Sequence, residues 1–165
     1  MTENQHDHVK IRVADAEPGG SELVPARRIR NLEWELLRSP LYATGLASGD
    51  IVRTTTRDDG SFLVQRRGGN VCVQFYMSSD DADDLEATRR VAGEVLEWVA
   101  PMGGRIDGIC PGLFTCTIPV VAGLTAIEAA FVAVAGNNLG SQWQFANVFD
   151  FHTGQPLNWW HRSME

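Results

Sequence analysis

The sequence predicts an α+β protein in two parts: a small N-terminal antiparallel β unit over residues 9–69, then a ferredoxin-like β-α-β-β-α-β half over residues 70–149. Three observations predict it. Up to residue 69, short alternating runs are separated by turn-forming stretches, the signature of hairpin-connected strands. After residue 70, two segments switch to the 3.6-residue period of amphipathic helices. Four strand-like runs are interleaved with them, in the order that packs two helices on one face of a four-stranded antiparallel sheet. Residues 1–8 read as a flexible polar leader and residues 150–165 as an aromatic tail.

In the first part the strand-like runs are HVKIRVA (8–14), LEWELLRS (32–39), DIVRTTT (50–56) and SFLVQRR (61–67). The stretch Ala16–Glu22 (AEPGGSE) is loop by composition. Asp59-Gly60 within Arg57–Gly60 predicts a hairpin, because those residues accept left-handed geometry. "LYATGLASGDIV" (41–52) poses a choice between a phosphate-cradling glycine loop and a corner. A phosphate loop leads into a helix and commonly ends Gly-Lys-Ser/Thr. Here the glycines lead into β-branched DIVRTTT with no lysine, so Gly45, Gly49 and Asp50 are read as a structural turn.

In the second part, NVCVQFYMS (70–78) is a strand and a helix starts within Ser78–Asp81, whose side chains can cap backbone N–H groups. Leu85, Thr88, Ala92, Val95, Leu96 and Val99 form its apolar face, and Pro101–Gly104 stops it. Strands 105–110 and 113–120 turn at Pro111-Gly112. Thr125–Glu128 has the Ser/Thr-x-x-Glu capping-box pattern at the start of a second helix, with Leu124, Ile127, Phe131 and Val134 buried. The last strand is Ser141–Phe149, where Trp143, Phe145 and Phe149 alternate toward the core.

Composition narrows the function classes. The chain has 165 residues, 44% hydrophobic and 21% charged, which suits one globular domain, or two small subdomains sharing a core, rather than a disordered segment. Its apolar stretches are too short and interrupted for a membrane span. A net charge of −7 disfavours nucleic acid, which needs a basic stripe, and leaves a basic protein partner open. MTENQHDHVKIRV has neither a basic nor an apolar leader region, and three cysteines without a CxxC fit reduced thiols, so the expected setting is cytoplasmic. Cys110 and Cys116 fall on the helix-covered alternation with Ile106, Phe114 and Ile118, and Cys72 falls on the other face with Gln74 and Tyr76.

No catalytic residue, metal ligand set or cofactor site is assigned. His6-x-His8 lies in the leader and lacks the three or four fixed ligands a metal needs. Asp150 lies two residues from His152, with no Ser or Cys nucleophile to join them. Asp80–Asp84 lacks the spacing of a calcium loop and is explained by helix capping. Together with Glu86, Glu94 and Glu97 it nevertheless extends an acidic helical surface. Trp159 and Trp160 cannot both face inward in an extended segment. One is expected to staple the tail to the body and the other to anchor a partner.

The segment carrying Pro40, Tyr42, Gly45, Leu46, Gly49, Asp50 and Val52, followed by the "DDG" hairpin and "GGNVCVQF", resembles the bacterial family of unknown function DUF4265. The likeness runs loosely from about residue 9 to about residue 148, and the tail FHTGQPLNWWHRSME lies outside it. The resemblance implies this order of elements and a bacterial cytosolic setting, with no catalytic residues to carry over.

Two functions follow as expectations. The first is a non-enzymatic binding protein, such as an immunity or inhibitor protein, that meets a basic toxin or enzyme through Asp84, Glu94, Glu97 and the Trp159-Trp160 pair. The second is a small-molecule sensor or uncharacterised enzyme with a cleft between the N-terminal β unit and the open sheet face bearing Cys72, Gln74, Tyr76, Thr115, Thr117 and Gln144. The sequence assigns no oligomeric state.

Overall fold

The structure is a computed structural model that describes residues 7–13 and 20–162. It is an α+β fold with two antiparallel sheets and two α-helices. The first sheet has five strands in sequential order: β1 (Asp7–Arg12), β2 (Ser21–Arg30), β3 (Glu33–Leu36), β4 (Ile51–Thr54) and β5 (Phe62–Arg66). It curls until the end of β1 meets the β4–β5 turn, where the Arg12 amide donates to the Gly60 carbonyl at 2.8 Å. Val9, Ile11, Val24, Ala26, Leu36 and Val52 fill the inside of the curl together with Ala43 and Leu46 from the corner.

Several expectations change here. Asp7 and His8, assigned to the leader, open β1, while His6 and most of the 16–22 loop lie outside the described residues. Ser21 and Glu22 belong to β2, a strand hidden in the sequence by Pro25 and by the arginines at 27, 28 and 30. Pro25 is tolerated because β3 pairs with β2 only from Ala26 onward, so no ladder bond needs the missing N–H. The strand expected through residue 39 ends at Leu36, and residues 37–50 cross to the second sheet.

The second sheet comprises β6 (Asn70–Tyr76), β7 (Arg105–Cys110), β8 (Leu113–Pro119) and β9 (Gln142–Phe145), in the order β7-β8-β6-β9. Helix α1 (Leu85–Val99) connects β6 to β7, and α2 (Leu124–Asn137) connects β8 to β9. Both helices lie on one face. Val91, Val95 and Val99 of α1 and Ile127, Phe131 and Val134 of α2 share a core with Val73, Phe75, Phe114 and Ile118. The Phe75 and Phe114 rings stack at 4.9 Å. Burial contributes about 1.5–3 kcal/mol for each such large side chain, so this layer holds the second half together.

Local details depart from the sequence reading. Asp84, not Ser78–Asp81, caps α1, its carboxylate accepting from the Ala87 amide at 2.9 Å. Leu96, expected on the apolar face, is exposed, and Val91 takes a place there. The capping box at Thr125–Glu128 does not form: Gly123, at φ +89°, starts α2 at Leu124 and leaves Thr125 inside the first turn. The last strand stops at Phe145, and Phe149, expected in the core, is exposed. No helix of the described residues is long and apolar enough to cross a membrane.

Candidate functional site

The corner is built around one buried carboxylate. Gly45 (φ +83°) and Gly49 (φ +88°) adopt the left-handed backbone that glycine accepts most readily, as the turn reading requires. They aim Asp50 inward, where it accepts from the Ala47 amide at 3.0 Å, the Gly68 amide at 2.9 Å and Arg67 Nη1 at 3.1 Å. Burial pushes the Asp50 carboxyl above its ordinary range, and Arg67 and the two amides only partly offset it. The Gly49 and Gly68 backbones approach so closely that a Cβ on Gly68 would sit 2.3 Å from the Gly49 carbonyl carbon. With its polar oxygens engaged and no exposure, Asp50 is a structural anchor.

The face of the second sheet away from the helices was expected to be open. It is covered: the 37–50 crossing lies on it, and Cys72, Gln74, Thr115 and Thr117 are buried. A directed chain of hydrogen bonds fills the seam. The Ser48 amide donates to Ser39 Oγ (3.0 Å), and the Ser39 hydroxyl to Thr117 Oγ1 (2.5 Å). Thr117 in turn donates to Asp107 Oδ2 (2.5 Å). Arg105 closes the group through Asp107 Oδ1 and Ser48 Oγ, both at 2.7 Å. On the other side of the crossing, Glu22 accepts from the amides of Leu41, Tyr42 and Ala43. Gln74 Nε2 donates to the Leu41 and Tyr42 carbonyls. Of the six cleft residues only Tyr76 and Gln144 reach the rim, so the expected cleft is occupied by the protein's own chain.

Among the described residues, neither the two buried thiols nor the Asp150–His152 pair is arranged as an activated nucleophile. Burial pushes the Cys72 thiol up to about 12 and that of Cys116 well above its ordinary value. Cys110 is not on the helix-covered face: a bulge between Ile106 and Gly108 shifts the register and turns it toward Tyr42, 3.5 Å from the hydroxyl. Asp150 spends its Oδ1 on the amides of His152 and Thr153, shaping a turn rather than orienting an imidazole. These amides hold its carboxyl below the ordinary range. Among the described residues no three His, Cys, Asp or Glu side chains gather as a metal would need.

The surface of α1 is chemically more distinctive. Glu97 is exposed and unengaged by any hydrogen bond among the described residues. Glu94 pairs with Arg90 at 3.2 Å and accepts from Asn138 Nδ2 at 3.0 Å, which ties it to the end of α2. Asp84 is occupied as the cap. Of the three acidic residues singled out in the sequence, Glu97 alone is free of a structural task. Beside it stands Trp98, 49% exposed and one helical turn from Glu94, which the sequence reading did not select. Its signal was present in EVLEWVA, where the indole falls just off the Thr88, Val91, Ala92, Val95, Val99 stripe.

Trp159 and Trp160 are not extended. They lie in a 3-10 turn (Trp159–Arg162) that half-buries both rings against the helix-side core, edge to face at 5.8 Å. Trp159 Nε1 donates to the Asn147 carbonyl at 2.7 Å, and the Arg67 guanidinium lies over its ring. Asn147 in turn pins β6 by accepting from the Cys72 amide and donating to the Asn70 carbonyl. Both tryptophans therefore staple the tail, and neither stands out as an exposed anchor.

A family model described as a domain of unknown function (DUF4265) matches residues 22–141. No match was found among the curated proteins. Among solved structures, the chain is similar to a hypothetical protein from Neisseria gonorrhoeae: 14% sequence identity, TM-score 0.64, covering 87% of this chain and 96% of that one. At that identity the likeness concerns the fold.

Proposed function

The chain belongs to the DUF4265 family, and from the chemistry of its surface we propose that it is a non-enzymatic binding protein whose α1 face meets a basic protein partner. One observation carries this reading: charge is segregated along the chain. Residues 1–69 carry ten Lys and Arg against ten Asp and Glu, whereas residues 70–165 carry four against eleven, so the whole net charge of −7 belongs to the second part. In the β unit several charges cancel in pairs, Lys10 with Asp58, Arg27 with Glu35 and Arg30 with Glu33. Seven of the eleven carboxylates lie between Asp80 and Glu97, with Arg89 and Arg90 among them. Trp98 adds a large, half-exposed aromatic ring to that field, the residue type that most often dominates binding energy. Carboxylates around it would steer a cationic partner and exclude an anionic one.

An immunity or inhibitor protein acting on a basic toxin or enzyme is the most concrete form of this function. The strand order β7-β8-β6-β9 supports reading the second half as ferredoxin-like, with its helix layer free for recognition. Three unpaired cysteines, two of them buried, support a cytoplasmic setting. The test is capture from a lysate of the source cell by immobilised wild type, Glu97→Lys and Trp98→Ala. The reading expects a basic protein that wild type retains, that salt releases, and that both variants lose at unchanged melting temperature. A partner held equally by all three would place recognition elsewhere.

A further inference from the structure

Away from α1, the segment after β9 leaves a trough against β5. It consists of two adjoining hollows of about 860 and 640 Å³ that share Val64, Arg67 and Leu157. Its floor is unusually apolar for a surface: Leu63 is 67% exposed, Phe149 44% and Phe151 45%, and all three converge on the same hollow beside Phe62 and Leu157. Single exposed apolar residues need no explanation, but a contiguous patch rimmed by polar groups marks an interaction surface. Three arginines, Arg12, Arg66 and Arg67, line the rim together with the imidazoles of His152 and His161. Among the described residues the carboxylates near them are Asp150, whose Oδ1 is taken by two backbone amides, the exposed Asp59 close to Arg12, and the buried Asp50 paired with Arg67. Arg67 is held in place by Asp50, by the Gly45 carbonyl at 2.7 Å and by the Trp159 ring.

β5 is an edge strand among the described residues, but it is not built for strand addition. Val64 and Arg66 pair with consecutive residues of β4, so Gln65 is bulged out between them, and bulges and charges blunt an edge. Recognition in this trough therefore runs through side chains. We propose that the trough binds an extended peptide segment of a partner protein in which carboxylates are interleaved with aliphatic or aromatic side chains. The apolar side chains cover Leu63, Phe149 and Phe151 while the carboxylates reach Arg12 and the arginines of the β5 end. This surface is opposite in charge to α1 and independent of the partner proposed there.

The probes are three fluorescein-labelled heptapeptides: Glu-Leu-Glu-Phe-Glu-Leu-Glu, its Lys-for-Glu counterpart, and Glu-Ser-Glu-Ser-Glu-Ser-Glu. Anisotropy titrations should show the first binding at least about tenfold tighter than either of the others, with amide NMR shifts confined to residues 61–67 and 148–161. Phe151→Ser and Arg12→Glu should each weaken it by about tenfold or more, as loss of an apolar anchor or a charge reversal does, while Glu97→Lys leaves it unchanged. Leu63→Ser replaces Phe151→Ser if the latter lowers the melting temperature. Equal affinity for the acidic and basic peptides, equal affinity for the serine peptide, or shifts on α1 would overturn the proposal. So would sedimentation showing that a second copy of the chain already fills the trough.

Discussion

At the scale of single residues, the corner around Asp50 makes the sharpest demands. Gly68→Ala should be among the most damaging single changes, costing about 3 kcal/mol or more, because the new methyl collides with the backbone of Gly49 rather than with a movable side chain. Gly49→Val should cost at least about 1 kcal/mol, since a β-branched residue resists φ +88°. Chemical denaturation checks both; unchanged midpoints would contradict the geometry. Asp50→Asn should cost about 1–3 kcal/mol, because an amide cannot accept everything the carboxylate does. Its pH dependence has a definite sign. Burial raises the folded-state value above the ordinary 3.8, so the folded chain holds the proton more tightly than the unfolded one. The stabilisation from Asp50 is thus greatest below that ordinary value and declines as pH rises through it toward the folded value. The wild type's advantage over Asp50→Asn should shrink as pH rises above the ordinary 3.8, and a widening gap would mean that Arg67 and the amides outweigh burial. The turn role of Gly45, Gly49 and Asp50 was legible because positive-φ glycines beside an Asp are a local signal. The Arg67 pairing was not, because it spans seventeen positions.

At the scale of elements, the helices were legible and the strand edges less so. The 3.6-residue period survives in α1 and α2 because each buries one stripe against the sheet. Bounds were set by features the period does not encode: the Asp84 cap and the positive φ of Gly123. β2 was missed because its tertiary neighbours, not its own composition, make Pro25 acceptable. The face of Cys110 was missed because one bulge inverts every later side chain in β7. These features separate the acidic residues of α1 by expected effect. Asp84→Ala should lower stability by about 1 kcal/mol through loss of the cap. Glu97→Lys should leave stability unchanged or raise it by about 0.3–1 kcal/mol, because it removes a carboxylate from the helix C-terminus, where a cation is favoured. Thermal melts of the two variants check the contrast, and equal losses would contradict the assigned cap.

At the scale of the whole molecule, two sheets are joined by a buried polar seam rather than by a cleft. Ser39, Asp107 and Thr117 join the crossing to β7 and β8, and Asn147 joins β6 to the tail. A sequence shows these residues as scattered polar positions, and only their convergence reveals that the face once expected to be open is filled. Asn147→Ala should cost about 2–4 kcal/mol by leaving the Cys72 amide and the Asn70 carbonyl buried without partners. With the seam closed and negative charge concentrated between Asp80 and Glu97, we propose binding through α1 as the function of the molecule. The direct measurement is the association rate with the captured basic partner between about 0.05 and 0.5 M salt, for wild type and for Glu97→Lys combined with Trp98→Ala. A wild-type rate that falls steeply with salt, and a variant rate that is slower and flatter at an unchanged melting temperature, is the expected result; identical rates and salt slopes for the two proteins would contradict recognition through α1.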